Sequence, residues 1–196
     1  MAPPLIWAFA AIFYAIFWFW YIGIKRKITP EEVKSAVELL ESRGDFADKQ
    51  IAAIRRFFEQ DDGKDFVMVN LLELKEPRGE SRKKLTTYQK IFLGNLLKRA
   101  GHPIFIARAA SGNIEDVGCS ADNWTAAGMV RYRSRRDLLE VLPDTVGSEH
   151  HQLKLDALER TFAYPGAPWM IVGGPKLLVP MALALIAALV HLALLS

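Results

Sequence analysis

The chain has one cysteine, Cys119, a formal net charge of only +3, and no charged side chain before Lys25 or after Lys176. Each scarcity excludes a class of protein. A lone cysteine cannot pair within its own chain, so the chain is not a disulfide scaffold, and free cysteine suits a reducing compartment. A net charge of +3 is too small for the electrostatic footprint of a strongly basic nucleic-acid binder, and no nucleic-acid partner is expected. The motifs HExxH, CxxC and GxGxxG are absent, which removes metalloprotease, zinc, iron–sulfur and dinucleotide readings. GxSxG is absent too, so no nucleophile elbow is present. No metal and no cofactor are expected. Internal repeats and low-complexity tracts are likewise missing.

What is present is sharply partitioned. All 25 Lys and Arg and all 22 Asp and Glu fall between Lys25 and Lys176. That middle has the composition of a water-soluble domain, with enough aliphatic and aromatic residues for a core. The two ends are almost pure hydrocarbon.

Residues 4–24 are uncharged and rich in Ile, Phe, Trp, Tyr and Ala. As a helix they span roughly 31 Å, one bilayer core. A cleaved signal peptide is the alternative, but it needs positive charge before the apolar stretch and small residues after it. Here Lys25, Arg26 and Lys27 follow the run, and Phe17, Trp18, Phe19, Trp20 and Tyr21 crowd its end. A transmembrane helix over 4–24 is therefore expected, with Trp7, Trp18, Trp20 and Tyr21 as membrane-anchor aromatics facing lipid or a partner membrane protein. Residues 177–195 form a second apolar run, read as another transmembrane helix rather than a buried one, because no face is polar. Pro180 sits in its first turn and His191 near its far end. Basic flanks at Lys25–Lys27 and Lys176 put the middle on the cytoplasmic side and both termini outside, in a bacterial inner membrane.

In the middle, Thr29-Pro30-Glu31-Glu32 is a capping-box helix start. Apolar spacing predicts a helical hairpin over 30–60, with Gly44 ending the first helix and Asp45 capping the second. A strand is expected over 66–72, a helix over 81–100 ended by Gly101, and strands over 102–110 and 124–133. A short helix then stops at Pro143, another covers 148–160, and a last strand covers 161–164. The long polar turn at 112–123 is a candidate mobile loop. The order strand, helix, strand, strand, helix, strand is that of a split βαβ, ferredoxin-like domain over 64–165. The fold class is thus α+β, with helices on one sheet face and the other face free to form a homodimer.

Several segments carry a family resemblance: DFVMVNLLELKE (65–76), TTYQKIF (86–92), GHPIFIARA (101–109), WTAAGMVRYRSRRDLLEVL (124–142) and HHQLKLDALERTFAYP (150–165). Together they resemble the dimeric α/β barrel superfamily, in a poorly characterised bacterial branch related to EthD-like and antibiotic-monooxygenase-like proteins. The resemblance covers about half the chain and implies a fold and a dimer; reactions on this fold vary too widely to transfer. The two spans and the 30–60 hairpin depart from the family pattern.

Strand alternation suggests that Val67, Val69 and Leu71 face the helices while Met68 and Asn70 face the open side. The same reasoning puts Phe105, Ala107 and Ala109 on the helix side, opposite Ile106 and Arg108, and puts Ala126, Gly128, Val130 and Tyr132 opposite Arg131. Asn70, Tyr88, Arg108 and Arg131 become the candidate ligand-binding residues, suited to a carboxylate, phosphate or enolate. Each has a plainer reading: the arginines as ion-pair partners at a dimer seam, Tyr88 as core. His102 reads as a surface histidine. His150 and His151 point about 100° apart on a helix and cannot share one metal. The basic clusters 82–84, 98–99 and 131–136 suit either lipid headgroups or, preferably, a solvated surface.

Two functions follow. The preferred one is a membrane-anchored accessory or assembly subunit, whose cytoplasmic domain mediates dimerisation or binds an integral-membrane partner. The alternative is a membrane-tethered cofactor-free monooxygenase- or isomerase-like enzyme, or a binder of a small hydrophobic molecule.

Overall fold

Thr29 starts helix α2 (Pro30–Arg43) as its sequence dictates. Its Oγ1 accepts from the Glu32 backbone N–H at 3.3 Å, and Glu32 Oε2 accepts from the Thr29 N–H at 2.8 Å. Gly44 ends the helix with φ +69°, a conformation glycine adopts without cost. This is a computed structural model describing residues 3–115, 117–118, 123–145 and 149–195. Cys119 and part of the polar turn at 112–123 lie outside the described residues. The chain divides into two units, one formed by its two ends and one by Lys25–Ala167.

In the first unit, α1 (Pro3–Ile22) packs against α7 (Pro175–Leu195). Both are long and apolar enough to cross a membrane, with mean hydropathies of 1.9 and 2.5. Ile6 and Ala187 are buried, while Leu5, Phe9, Phe13, Ile16, Leu185 and Ile186 are exposed. Trp7 Nε1 donates to His191 Nδ1 at 3.2 Å. Pro180 is accommodated in the first turns of α7.

In the second unit, α2 and α3 (Asp48–Glu59) form the expected hairpin. Asp45 does not cap α3, because its carboxylate accepts from Arg43 Nε at 3.2 Å. Gln50 Oε1 instead accepts from the Ala47 N–H at 2.9 Å. There follow β1 (Phe66–Leu74), α4 (Arg78–Leu97), β2 (His102–Arg108), β3 (Ala126–Tyr132), α5 (Arg135–Thr145), α6 (Glu149–Ala157) and β4 (Leu158–Gly166). The four strands form one antiparallel sheet in the order β2-β3-β1-β4.

Several element bounds differ from expectation, those of the helices most. Helix α5 runs through Pro143 to Thr145, since a proline so close to the end forfeits a single backbone bond. Helix α6 stops at Ala157, and β4 starts at Leu158, because pairing with Leu74 extends the strand. Finally, α4 starts three residues early, at Arg78.

The strand facing also differs. Phe66, Met68, Leu72 and Leu74 of β1 pack among the helices, so Val67, Val69 and Leu71 take the outer face. Nearly every β1 position is apolar, so alternation carries no signal there. In β2 a bulge between Pro103 and Phe105 shifts the register, and Ile106 and Arg108 then pair with Gly128 and Ala126. A one-residue slip turns every later side chain over. For β3 the expected facing holds: Val130, Tyr132 and Ala126 pack on the helix side.

Three apolar clusters hold the unit together. Leu40, Val37 and Phe58 of the hairpin close over Leu142 of α5. Phe66 stacks on Tyr132, with centroids 4.8 Å apart and planes 6° apart, and joins Leu96 and Val141. Leu72, Leu85, Ala157 and Leu158 close the far end. Full burial of each such side chain is worth about 1.5–3 kcal/mol.

Candidate ligand cavity

The 131–136 arginines are committed inside the domain. Arg131, almost wholly buried, donates to Asp65 Oδ2 at 2.9 Å and to the Ala100 carbonyl at 3.1 Å. Arg133 pairs with Asp137 at 2.7 Å, and Arg135 lies 4.5 Å from the centroid of the Phe57 ring. Arg136 binds Glu32 and the carbonyls of Arg26 and Lys27. These side chains tie α5 and β3 to the hairpin and strand ends. Headgroup binding and a freely solvated surface both misdescribe this stretch.

The helix-bearing face of the sheet and helices α4, α5 and α6 enclose a cavity of about 790 Å³. That is within the range of small-molecule sites. Its walls are mainly apolar: Met68, Phe92, Leu93, Val130, Tyr132 and Leu138. Asn70, Tyr88 and Arg108 all line it, brought together by the β1 facing and the β2 bulge. Arg131 does not line it.

Asn70 stands opposite Gly128, and its Nδ2 donates to the carbonyls of Met68 at 3.1 Å and Gly128 at 3.4 Å. Its Oδ1 is left to accept from whatever enters. Tyr88 stacks on Phe92 at 5.8 Å. Burial pushes its phenol up to about 12, so it stays protonated at neutral pH and is a hydrogen-bond donor, not a base. Arg108 occupies the same cross-strand row as Ala126 and Leu72, at the exposed rim. Arg82 of α4 lines the same cavity and is also exposed.

Two lining residues of α6 are not among the sequence-derived ligand candidates: Lys154, and His151, which the sequence offers only as a metal ligand to be set aside. They stand three apart on one helix face. Together with Leu155 and Leu158 they repeat at i, i+3, i+4 and i+7, so two basic residues on an apolar stripe were the available signal. Lys154 Nζ lies 5.9 Å from the centroid of the Tyr88 ring, and desolvation lowers its pKa. His151 is 7% exposed and stacks on Phe46 at 6.3 Å. Burial lowers its pKa, as do the charges of Lys154 and Arg43, with Asp45 opposing. Its Nδ1 is buried without a hydrogen-bond partner. The His150 side chain lies outside the described residues. His102, on β2, turns Nδ1 towards the Pro103 carbonyl at 3.0 Å.

Among the described residues, no group of three His, Cys, Asp or Glu is placed to hold a metal. On α1, Trp7, Trp18 and Trp20 present exposed faces, while Tyr21 is buried and stacks on Phe17 at 5.2 Å.

No known family matches the chain, and no curated protein does. Solved structures do. A protein of unknown function from Rhodopseudomonas palustris aligns with a TM-score of 0.52 at 16% identity, over 64% of this chain and 96% of that one. Its methylated form aligns with a TM-score of 0.50 at 19% identity, over 66% and 96%. At such identities the likeness concerns the fold alone: an α+β domain built on an antiparallel sheet.

Proposed function

We propose that the chain is a membrane-tethered binder of a small hydrophobic molecule, held in a ferredoxin-like domain of the dimeric α/β barrel type. The cavity between sheet and helices carries this reading. It is large and apolar, with a few polar groups converging at Asn70, Tyr88 and Arg108. The apolar terminal helices fit the same purpose, because anchorage in a bilayer concentrates a protein where lipid-soluble molecules dissolve. If chemistry follows binding, the resemblance implies a monooxygenase or isomerase type. Tyr88 and Arg108 would then supply hydrogen bonds to an enolate-like oxygen. Arg131, engaged by Asp65, would support the strand instead.

The accessory-subunit reading has its own support. On the outer sheet face, Phe105, Phe162 and Tyr164 are each about half exposed. An apolar face of this kind suits a second copy, as in a sheet-to-sheet homodimer, or another subunit. The positive-inside pattern supports a cytoplasmic domain at an inner membrane, with both termini outside.

Gentle detergent extraction followed by native mass measurement tests the choice. A chain or homodimer retaining a small apolar molecule supports the binder, and Gly128→Leu should abolish that retention. Gly128 lines the cavity with open space where a side chain would project. A stoichiometric membrane partner, with no retained molecule, supports the accessory subunit. Protease cleavage of the central domain from outside right-side-out vesicles would overturn the orientation.

A further inference from the structure

The cavity lining has a lopsided charge. Arg78, Arg82, Arg108, Lys154 and His151 contribute to it, and no Asp or Glu does among the described residues. The three arginines belong to the rim and are exposed. Lys154 and His151 lie deeper, on one face of α6, and neither forms an ion pair with a carboxylate among the described residues. The nearby acids are already engaged. Asp156 accepts from Gln152 at 2.7 Å and pairs with Lys84 at 3.9 Å, while Asp45 pairs with Arg43. Arg78 pairs with Glu76. Lys154 Nζ lies over the Tyr88 ring and makes no ion pair among the described residues.

A buried polar atom without a partner is costly. Here the buried His151 Nδ1 lacks a partner, and the half-buried Lys154 amine, which makes no ion pair among the described residues, borders the same space. From this we infer that the cavity takes an amphipathic monocarboxylate, its carboxylate held by Lys154 Nζ and His151 Nδ1–H and its apolar body lying against Met68, Phe92, Val130 and Leu138. The inference rests on the binder reading and names the class of its ligand.

Two considerations select a carboxylate over other anions. Burial disfavours the charged form of Lys154, and one carboxylate beside it would restore that form with the two charges balanced. A phosphate monoester dianion would leave a negative charge uncompensated away from water. His151, kept towards its neutral form by burial, donates one hydrogen bond without adding charge. An ammonium and an imidazole N–H together serve the two oxygens of one carboxylate.

The test uses the full chain in nanodiscs of zwitterionic lipid, with calorimetric titration and empty discs subtracted. The probes are 2-naphthylacetate, the uncharged 2-(2-naphthyl)ethanol and 2-naphthyl phosphate. The carboxylate should bind about tenfold or more tighter than the alcohol. Lys154→Met and His151→Phe should each erase that advantage while leaving alcohol affinity in place. Retained alcohol binding also certifies that a variant is folded. Equal binding of acid and alcohol, or an advantage that survives Lys154→Met, overturns the carboxylate inference and leaves the binder reading standing. Tighter binding of the phosphate overturns the monoanion argument. Failure of all three probes in the unmodified chain overturns the inference together with the binder reading beneath it.

Discussion

Arg136 on α5 grips Glu32 on α2 through two parallel hydrogen bonds, Nη1 to Oε1 at 2.7 Å and Nη2 to Oε2 at 2.8 Å. The same carboxylate closes the capping box with Thr29. One side chain thus starts a helix and fastens it to the domain, which makes the hairpin's attachment sensitive to acid. The Arg136 hydrogen bond, then the Thr29 backbone, lower the Glu32 pKa from 4.5 to about 2. A carboxylate whose pKa is depressed on folding contributes stability above its unfolded pKa and loses it as pH falls towards the folded one. Stability should therefore decline between pH 4.5 and about 2. Glu32→Gln should flatten that decline and cost about 1.5–3 kcal/mol at neutral pH. Urea unfolding at a series of pH values measures both.

Arg131 makes a second case. Removing its guanidinium strands Asp65 and the Ala100 carbonyl. Breaking a buried pair typically costs about 3–5 kcal/mol, and Arg131→Met should fall at the low end because Asp65 keeps some water. Denaturant titration of the full chain in detergent gives the loss. Ligand binding by the folded fraction should stay unchanged, because Arg131 does not line the cavity; a selective loss of binding would contradict that placement.

Gly101 follows α4, and its N–H donates to the Leu96 carbonyl at 3.1 Å. A Cβ there would run into the fully packed Leu96 side chain and come within 3.0 Å of the Arg131 carbonyl. Gly101→Ala should therefore destabilise by about 1–3 kcal/mol through overpacking. Thermal unfolding that leaves the midpoint unmoved would refute this.

Between the terminal helices, Trp7 donates to His191. Hydrogen bonds between apolar helices are worth about 0.6 kcal/mol, and at most about 1.7. Trp7→Phe should weaken the α1–α7 pair by that order, read from denaturation by a graded mole fraction of sodium dodecyl sulfate. His191→Leu in the Trp7→Phe background should add little beyond it. The chain should also resist carbonate extraction from membranes, as two long apolar helices require.

Features set by local chemistry were legible before any coordinates. The capping box at Thr29 and Glu32 is one. The two uncharged ends are another, because helix length and apolarity need only counting. Element order in the middle followed from apolar spacing and from turn residues such as Gly44. The candidate site was only partly legible: the sequence singles out Asn70, Tyr88 and Arg108, yet strand alternation puts Asn70 and Arg108 on the opposite sheet face.

Tertiary structure decided the rest, each time because long-range contacts outweighed a weak local preference. Which face β1 presents to the helices is invisible in a strand that is apolar almost throughout. The bulge between Pro103 and Phe105 has no marker in composition, yet it brings Arg108 to the cavity rim. Arg131 looks like a ligand contact until Asp65, sixty-six residues away, is folded against it. His151 and Lys154 are ordinary residues of a short helix until that helix closes over a sheet and places them in a cavity lined by no Asp or Glu among the described residues. Local sequence sets where helices and apolar runs begin and end; only the packing of distant segments sets which charges are answered and which are left facing empty space.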